Sequence, residues 1–502
     1  MDPEQFRTAG YGVIDDIIHY FATLPSNKVL PEVTPGYLRP QLPSRPPEEP
    51  QPWSEVQADL ERIIKPGLTH WQHPHFMAFF PSIVTYPSIL GEMYSAAWNA
   101  PGFNWLCSPA CTELETVVLD WVAQACGLPE CFHSTGPTNG GGVIYGTASE
   151  AIATMVVAAR ERIVRRLTST TDLTEGTKAY EDKVMDLRQR LVALGSDQAH
   201  SSTAKAALVA GVRYRSVPTN LADNMVMKGD ALRTVLEQCK ADGLIPFYIT
   251  CTMGTTNTCA VDDFEGIKAV LRERKEWSQI WVHTDAAYAG AALVAEEYQH
   301  IAAQWADNVD SFDFNMHKWL LVNFDASCCF VRNRKDLTEA LEVNPSYLRN
   351  NVSDTGTVVD YRNWQIPLGR RFRSLKVWFV LRTFGLSGLR THIRNGIQVG
   401  IEFAEMLRSR PDLFKIITQP AFALTVFRVW NTSKSSTVDS EALTRKVYET
   451  IHQQGDFFLT STVVGGVYAI RVVNANQAAH VEHVRKVFEL LVTLAEKFTL
   501  PQ

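Results

Sequence analysis

Lys318 stands between His317 and Trp319 in the run Asn315-Met316-His317-Lys318-Trp319, with Leu320-Leu321-Val322 and Cys328-Cys329-Phe330 close behind. An amine among apolar and aromatic neighbours is partly desolvated, which disfavours its ammonium form. A neutral amine can attack an aldehyde, so the position suits an imine-forming lysine. The same run, taken alone, also fits a lysine whose stem lies along a strand edge while its charge reaches water. Three features upstream could complete a site. Thr147-Ala148-Ser149 follow the strand-like Gly142-Val143-Ile144-Tyr145 and open a helical pattern. The free amides and dipole of a helix start bind anions without net positive charge, although the same residues also serve as plain helix caps. Asp285 follows the apolar Ile280-Trp281-Val282-His283-Thr284. A carboxylate carried into an interior needs a cation or a donor, and a satisfied aspartate in a turn is the alternative. His200, in Ser196-Asp197-Gln198-Ala199-His200-Ser201-Ser202, is either a structural histidine or a ring facing a ligand.

Several longer blocks stand in one order: Ser108-Pro-Ala-Cys-Thr-Glu-Leu-Glu115, Ser196 to Ser202, the Lys318 block through Leu-Leu-Val-Asn-Phe-Asp325, and Trp364-Gln-Ile-Pro-Leu-Gly-Arg-Arg-Phe-Arg-Ser374. Over nearly the whole chain the sequence resembles the group II pyridoxal-phosphate decarboxylases, most of all the aromatic L-amino-acid decarboxylases. The resemblance implies an α/β protein of the aspartate-aminotransferase-like fold (fold type I). It also implies a carboxy-lyase that converts aromatic L-amino acids to arylalkylamines and CO2 with pyridoxal 5'-phosphate. On that footing Lys318 holds the cofactor as an imine and Asp285 faces its pyridine nitrogen. His200 stacks on the ring and approaches the substrate. Ala148 and Ser149 take the phosphate with Asn315, Thr256 and His317 match further positions around the cofactor, and Ala287 is the small residue that lets the ring come close. Tyr347, in Asn344-Pro-Ser-Tyr-Leu-Arg349, matches a mobile-loop tyrosine that returns a proton to the substrate Cα. Related aldehyde synthases carry phenylalanine there, so tyrosine favours the amine product.

For the substrate, Phe80 and Phe103 offer aromatic walls, with core packing as the alternative use of such rings. Ser82 matches a substrate-contact position, and Gly369 leaves room for an indole where relatives with serine prefer phenols. The loop carrying Phe103 crosses in this family to the neighbouring active site, so the resemblance implies a homodimer with shared sites. An aromatic aldehyde synthase, or a histidine- or glutamate-type decarboxylase, is the sibling reading. A silent homologue acting as a binding dimer is the non-enzymatic one; the intact set Lys318, Asp285, His200 and Tyr347 speaks against it.

The elements that must position these residues are constrained by bulk composition. A chain of 502 residues, 45% hydrophobic and 20% charged, is a globular protein too long for one ordinary core. A net charge of −6 gives no electrostatic footprint for nucleic acid or anionic membrane, so phosphate recognition has to be local. No apolar run approaches the ~20 residues of a membrane span. The nine cysteines include no CxxC pair. Cys107 and Cys111 have helical spacing but no second ligand pair follows, which argues against zinc or any other metal. With no signal-peptide pattern, reduced thiols in the cytoplasm are expected.

The N-terminal region, residues 1–85, predicts a helix capped by Asp2 with Pro3 at its first position. Its stripe of Phe6, Val13, Ile14, Ile17 and Phe21 must be covered, here by a partner subunit. An extended connector with eight prolines from Pro31 to Pro52 follows, then a helix from Ser54 with Gln57 completing a capping box. Residues 86–374 alternate apolar strands with amphipathic helices, the pattern of a mainly parallel sheet covered on both faces, which binds ligands at the carboxyl ends of its strands. Residues 375–502 read as a small α+β domain after a long helix interrupted near Gly385–Gly388.

Overall fold

The computed structural model describes residues 1–343, 358–430 and 439–499. Helix α1 (Pro3–Thr23) starts as its sequence dictates. The Asp2 carboxylate accepts from the Glu4 and Gln5 amides at 2.9 and 2.8 Å, and the Gln5 side chain accepts from the Asp2 amide at 2.9 Å. None of its residues is buried, and Phe6, Tyr11 and Ile18 are exposed. Helix α2 (Trp53–Asp59) departs from expectation. It begins one residue before Ser54, at a Pro52 cap with no side-chain bond. Gln57 instead donates to Asp16 at 2.8 Å, so α2 is tied to α1 and its capping box is not made.

Seven strands form the larger sheet: β1 (Gly141–Tyr145), β2 (Leu191–Ser196), β3 (Arg213–Val217), β4 (Ile245–Thr252), β5 (Trp281–Asp285), β6 (Ser311–Asn315) and β7 (Ser327–Val331). Their order is β1-β7-β6-β5-β4-β2-β3. Only β7 runs against the rest, between β1 and β6; the pairs β2/β3, β2/β4, β4/β5 and β5/β6 are parallel. Every residue of β1, β2, β5, β6 and β7 is buried, as strands covered on both faces must be. One core lies beneath α4 (Pro109–Ala125) and a second beneath α5 (Ala148–Thr168).

A second, antiparallel sheet has the order β10-β11-β9-β8, from β8 (Phe414–Ile416), β9 (Leu424–Val429), β10 (Thr460–Val464) and β11 (Val467–Val473). The long helix Arg373–Arg408 leads into it and breaks at Gly385, whose φ of 61° lies where glycine is at ease. Near its start the helix crosses α3 (Tyr86–Trp98) so closely that a Cβ on Gly91 would stand 2.6 Å from the Lys376 Cα.

Residues 75–85 link the two sheets. The Met77 amide donates to Phe458 O and its carbonyl accepts from the Val473 amide, at 2.9 and 3.0 Å. Further along, the Ile83 amide donates to His317 O at 3.1 Å and Thr85 Oγ1 to Leu321 O at 2.8 Å. Among the described residues no helix is long and apolar enough to cross a membrane.

Candidate active site

The strands that run parallel end on one side, and the loops leaving them meet there. Ala148 and Ser149 follow β1, His200 follows β2, Thr256 follows β4, Asp285 closes β5 with Ala287 just beyond, and Asn315 closes β6 ahead of the short helix Met316–Trp319. All of these, with His317, Lys318, Phe80 and Ser82, line one cavity of about 500 Å³.

Within it Lys318 makes no hydrogen bond or ion pair among the described residues. Its Nζ lies 5.3 Å from the centre of the Phe80 ring. Desolvation holds its pKa below the usual lysine value, against the opposing pull of Asp285 and Asp313, so the amine gives up its proton more readily than a surface lysine. Phe80 is itself held in place, stacked on Tyr288 at 3.9 Å, which stacks on Trp319 at 4.8 Å.

Asp285 is buried. Its Oδ1 accepts from the Ala287 amide at 2.9 Å, while Oδ2 has no partner among the described residues. Behind it, its register neighbour Asp313 meets His283 Nε2 at 2.9 Å, and His283 Nδ1 meets Ser311 Oγ at 2.8 Å. Burial lowers His283 to about 4 and, with the Asp285 charge, raises Asp313 well above the carboxylate range. Asp285 is the carboxylate of the two that reaches the cavity.

At the start of α5, Thr147 caps the Glu150 amide at 3.2 Å, and Asn315 Oδ1 accepts from the Ala148 amide at 3.1 Å. The Ser149 amide and the Asn315 Nδ2 donors have no partner among the described residues. His200 Nδ1 accepts from the Ser202 amide at 3.2 Å and lies 2.9 Å from Ser202 Oγ; the neutral ring therefore carries its proton on Nε2. Desolvation lowers its pKa, Asp285 opposing and Lys318 assisting. His317 is buried, its Nδ1 accepting from the Ala326 amide at 2.9 Å, and burial lowers it to about 3.

Two expected substrate residues lie elsewhere in this chain. Phe103 and Gly369 do not line the cavity; the Phe103 carbonyl accepts from the Arg362 amide at 2.9 Å, and Gly369 is exposed with open space where a side chain would stand. Tyr347 lies outside the described residues. Sequence reasoning did not assign several cavity residues, among them Trp71, Tyr288, Phe324 and Arg471. For Arg471 the signal was present, a lone charge inside the apolar run Val-Tyr-Ala-Ile-Arg-Val-Val.

Among the described residues the site thus offers an unpartnered amine, a carboxylate oxygen without a donor, and an open helix-start amide around one cavity. Those groups fit an aldehyde, a protonated heterocyclic nitrogen and a phosphate. Residues 35–430 match the model of the pyridoxal-dependent decarboxylase conserved domain. The chain is 43% identical to the aromatic-L-amino-acid decarboxylase of Cavia porcellus over 448 residues, 89% of each chain. It is also 43% identical to the 3,4-dihydroxyphenylacetaldehyde synthase of Drosophila melanogaster over 429 residues, 85% of this chain and 81% of that one. The crystal structure of Oryza sativa TDC with PLP and tryptamine superposes with a TM-score of 0.92 at 34% identity, covering 100% of this chain and 99% of that one. This chain belongs to the pyridoxal-dependent decarboxylase family. It is a carboxy-lyase whose cofactor is pyridoxal phosphate.

Proposed function

We propose that this protein decarboxylates aromatic L-amino acids to their arylalkylamines, working as a homodimer whose subunits complete each other's sites. The observation that carries the reading is the Lys318 amine, without a partner among the described residues, facing Phe80 in the cavity that also holds the Asp285 oxygen left open by those residues.

When bound, pyridoxal phosphate supplies an aldehyde carbon and an electron-withdrawing ring that accepts the pair left behind as CO2 departs. Lys318 is the group that would hold that carbon, its amine kept nucleophilic by desolvation. Asp285 would hold the ring nitrogen through the oxygen that Ala287 does not occupy. The phosphate would be held by the Ser149 amide and Asn315 Nδ2, the Ala148 amide being turned toward Asn315. His200, tethered through Nδ1, would cover one ring face, and Ala287 leaves space at the other. Tyr347 would donate its phenolic proton to the substrate Cα.

Phe80, braced by Tyr288 and Trp319, would form the wall against the substrate's ring, and Ser82 lies beside it. Support for a second subunit comes from rings left uncovered. Trp71, Phe79 and Phe324 line the cavity yet are 38%, 49% and 59% exposed, while Phe103 and Gly369 do not line it. A partner's Phe103 loop and Gly369 over that rim would cover those rings and enclose an indole.

The test is release of CO2 from tryptophan, phenylalanine, tyrosine, dopa and histidine by the purified holoenzyme. Aromatic substrates should give amine and CO2 in equal amounts, whereas peroxide, ammonia and aldehyde in equal turnover would make the protein an aldehyde synthase. Lys318→Ala should lose both the imine absorption band and at least about 10³-fold in turnover. Decarboxylation by that variant at the wild-type rate would overturn the role given to Lys318.

A further inference from the structure

Asn257 stands in the loop after β4, next to Thr256 of the cavity wall, and both ends of its side-chain amide are held. Its Oδ1 accepts from Thr462 Oγ1 on β10 of the second sheet at 2.9 Å, and its Nδ2 donates to Gln198 Oε1 at 3.2 Å. Gln198 lies in the loop after β2, two residues before His200, and is buried. Its Nε2 donates in turn to Asp197 Oδ1 at 3.2 Å, and Thr219 Oγ1 donates to the same oxygen at 2.6 Å. A carboxylate only accepts, so Gln198 must turn its nitrogen to Asp197 and its oxygen to Asn257. Asn257 must then present nitrogen to Gln198 and oxygen to Thr462. The run Thr462–Asn257–Gln198–Asp197 therefore has one direction, each member donating to the next, and bonds in such a run strengthen one another. None of the four residues lines the cavity.

A polar run that passes from one sheet to the other just outside the cavity acts through the residues it holds. On one side of it is Thr256, and on the other is the loop carrying His200. The His200 ring is bonded to Ser202 of its own loop, which fixes the ring to the loop; the Gln198–Asn257 bond fixes the loop to the second sheet. We propose that Asn257 is a positioning residue that sets the His200 ring against the cofactor by pinning its loop to Thr462. The proposal rests on the placement of His200 over the cofactor ring given above. The Asn257 carbonyl separately accepts from Arg471 Nε at 3.1 Å. That bond is made by the main chain and survives loss of the side chain, so Asn257→Ala cuts the polar run alone.

Circular dichroism in the absorption band of bound pyridoxal phosphate reports how the ring is packed, and equilibrium titration of apoenzyme gives the affinity for the cofactor. Asn257→Ala should lose dichroism in that band and bind pyridoxal phosphate about three- to tenfold more weakly, the scale of one neutral hydrogen bond. Thr462→Val, which removes the first donor of the run from outside the cavity, should do the same, and Thr462→Ser should match the wild type. The double variant Asn257→Ala/Thr462→Val should be no worse than Asn257→Ala, because the two residues act as one unit. Unchanged cofactor signals in Asn257→Ala, additive losses in the double variant, or a lower thermal midpoint of apoenzyme with dichroism and affinity intact overturns the proposal. Should Asn257→Ala fail to fold, Thr462→Val decides alone, and wild-type dichroism and affinity in that variant overturn it. His200→Ala separates the proposal from the placement beneath it. If that variant keeps the wild-type dichroism, His200 does not cover the ring and both fall. If it loses dichroism while Asn257→Ala and Thr462→Val keep theirs, only the role of Asn257 is wrong.

Discussion

At the level of single residues two proton transfers can be measured. The first concerns Tyr347, whose phenol is proposed to protonate the substrate Cα. Tyr347→Phe should still release CO2, with most of the product shifted from amine toward oxygen-dependent aldehyde. An unchanged amine yield in quantitative product analysis would remove it as the donor. The second concerns His73, which is 1% exposed, holds the His75 amide on its Nδ1 and is lowered to about 4, chiefly by burial. Its folded pKa lies below the unfolded value, so its stabilising contribution is full above pH 6.5 and is lost as pH falls toward 4. At pH 5 the loss is about 2 kcal/mol. In His73→Asn, which keeps an acceptor, the drop in denaturation free energy from pH 7 to pH 5 should shrink by about that amount. Identical pH curves would contradict it. Apolar runs beside Lys318, Asp285 and the start of α5 announced those three in the sequence, and the family resemblance added His200, Asn315 and Thr256 to the same site. Arg471 was hidden for the opposite reason. Six of the seven residues of β11 are buried, so its pattern does not tell which face meets a ligand.

Helices and strands were legible where local chemistry decided them. The Asp2–Gln5 capping box and the break at Gly385 follow from residue type alone. At Ser54 and Gln57 the same logic failed, because Asp16 on another helix offers Gln57 a partner. A short motif cannot reveal that competition. Nor does an apolar run say which strand it will pair with, and β7 turned antiparallel between two parallel neighbours. The crossing of α3 with the long helix gives the prediction at this scale. A methyl on Gly91 would meet backbone rather than a movable side chain, so the helices must part. Gly91→Ala should destabilise by about 1–3 kcal/mol through overpacking, seen as a lower midpoint in thermal unfolding; an unaltered midpoint would show that the crossing can yield.

For the whole molecule, the proposed sharing of sites makes a prediction that a self-contained chain does not. A bulky side chain at Gly369 has open space in its own subunit but, in the proposed dimer, would fill the pocket of its partner. Gly369→Trp and Lys318→Ala should each be nearly inactive alone. Co-expressed, they should form mixed dimers in which one site has both a native Lys318 and a native Gly369, so turnover returns. If no activity returns, although mixed dimers are isolated, sharing through Gly369 is wrong.

The segment 75–85 carries a mechanical consequence. It is laced to the second sheet at Met77 and to the Lys318 block at Ile83 and Thr85, and Phe80 and Ser82 ride between these two moorings. A tilt of the second sheet would drag the aromatic wall and Arg471 in the same stroke. The width of the binding slot is therefore governed by the angle between two layers of the protein, and substitutions at their seam would retune substrate preference without touching a single residue of the slot.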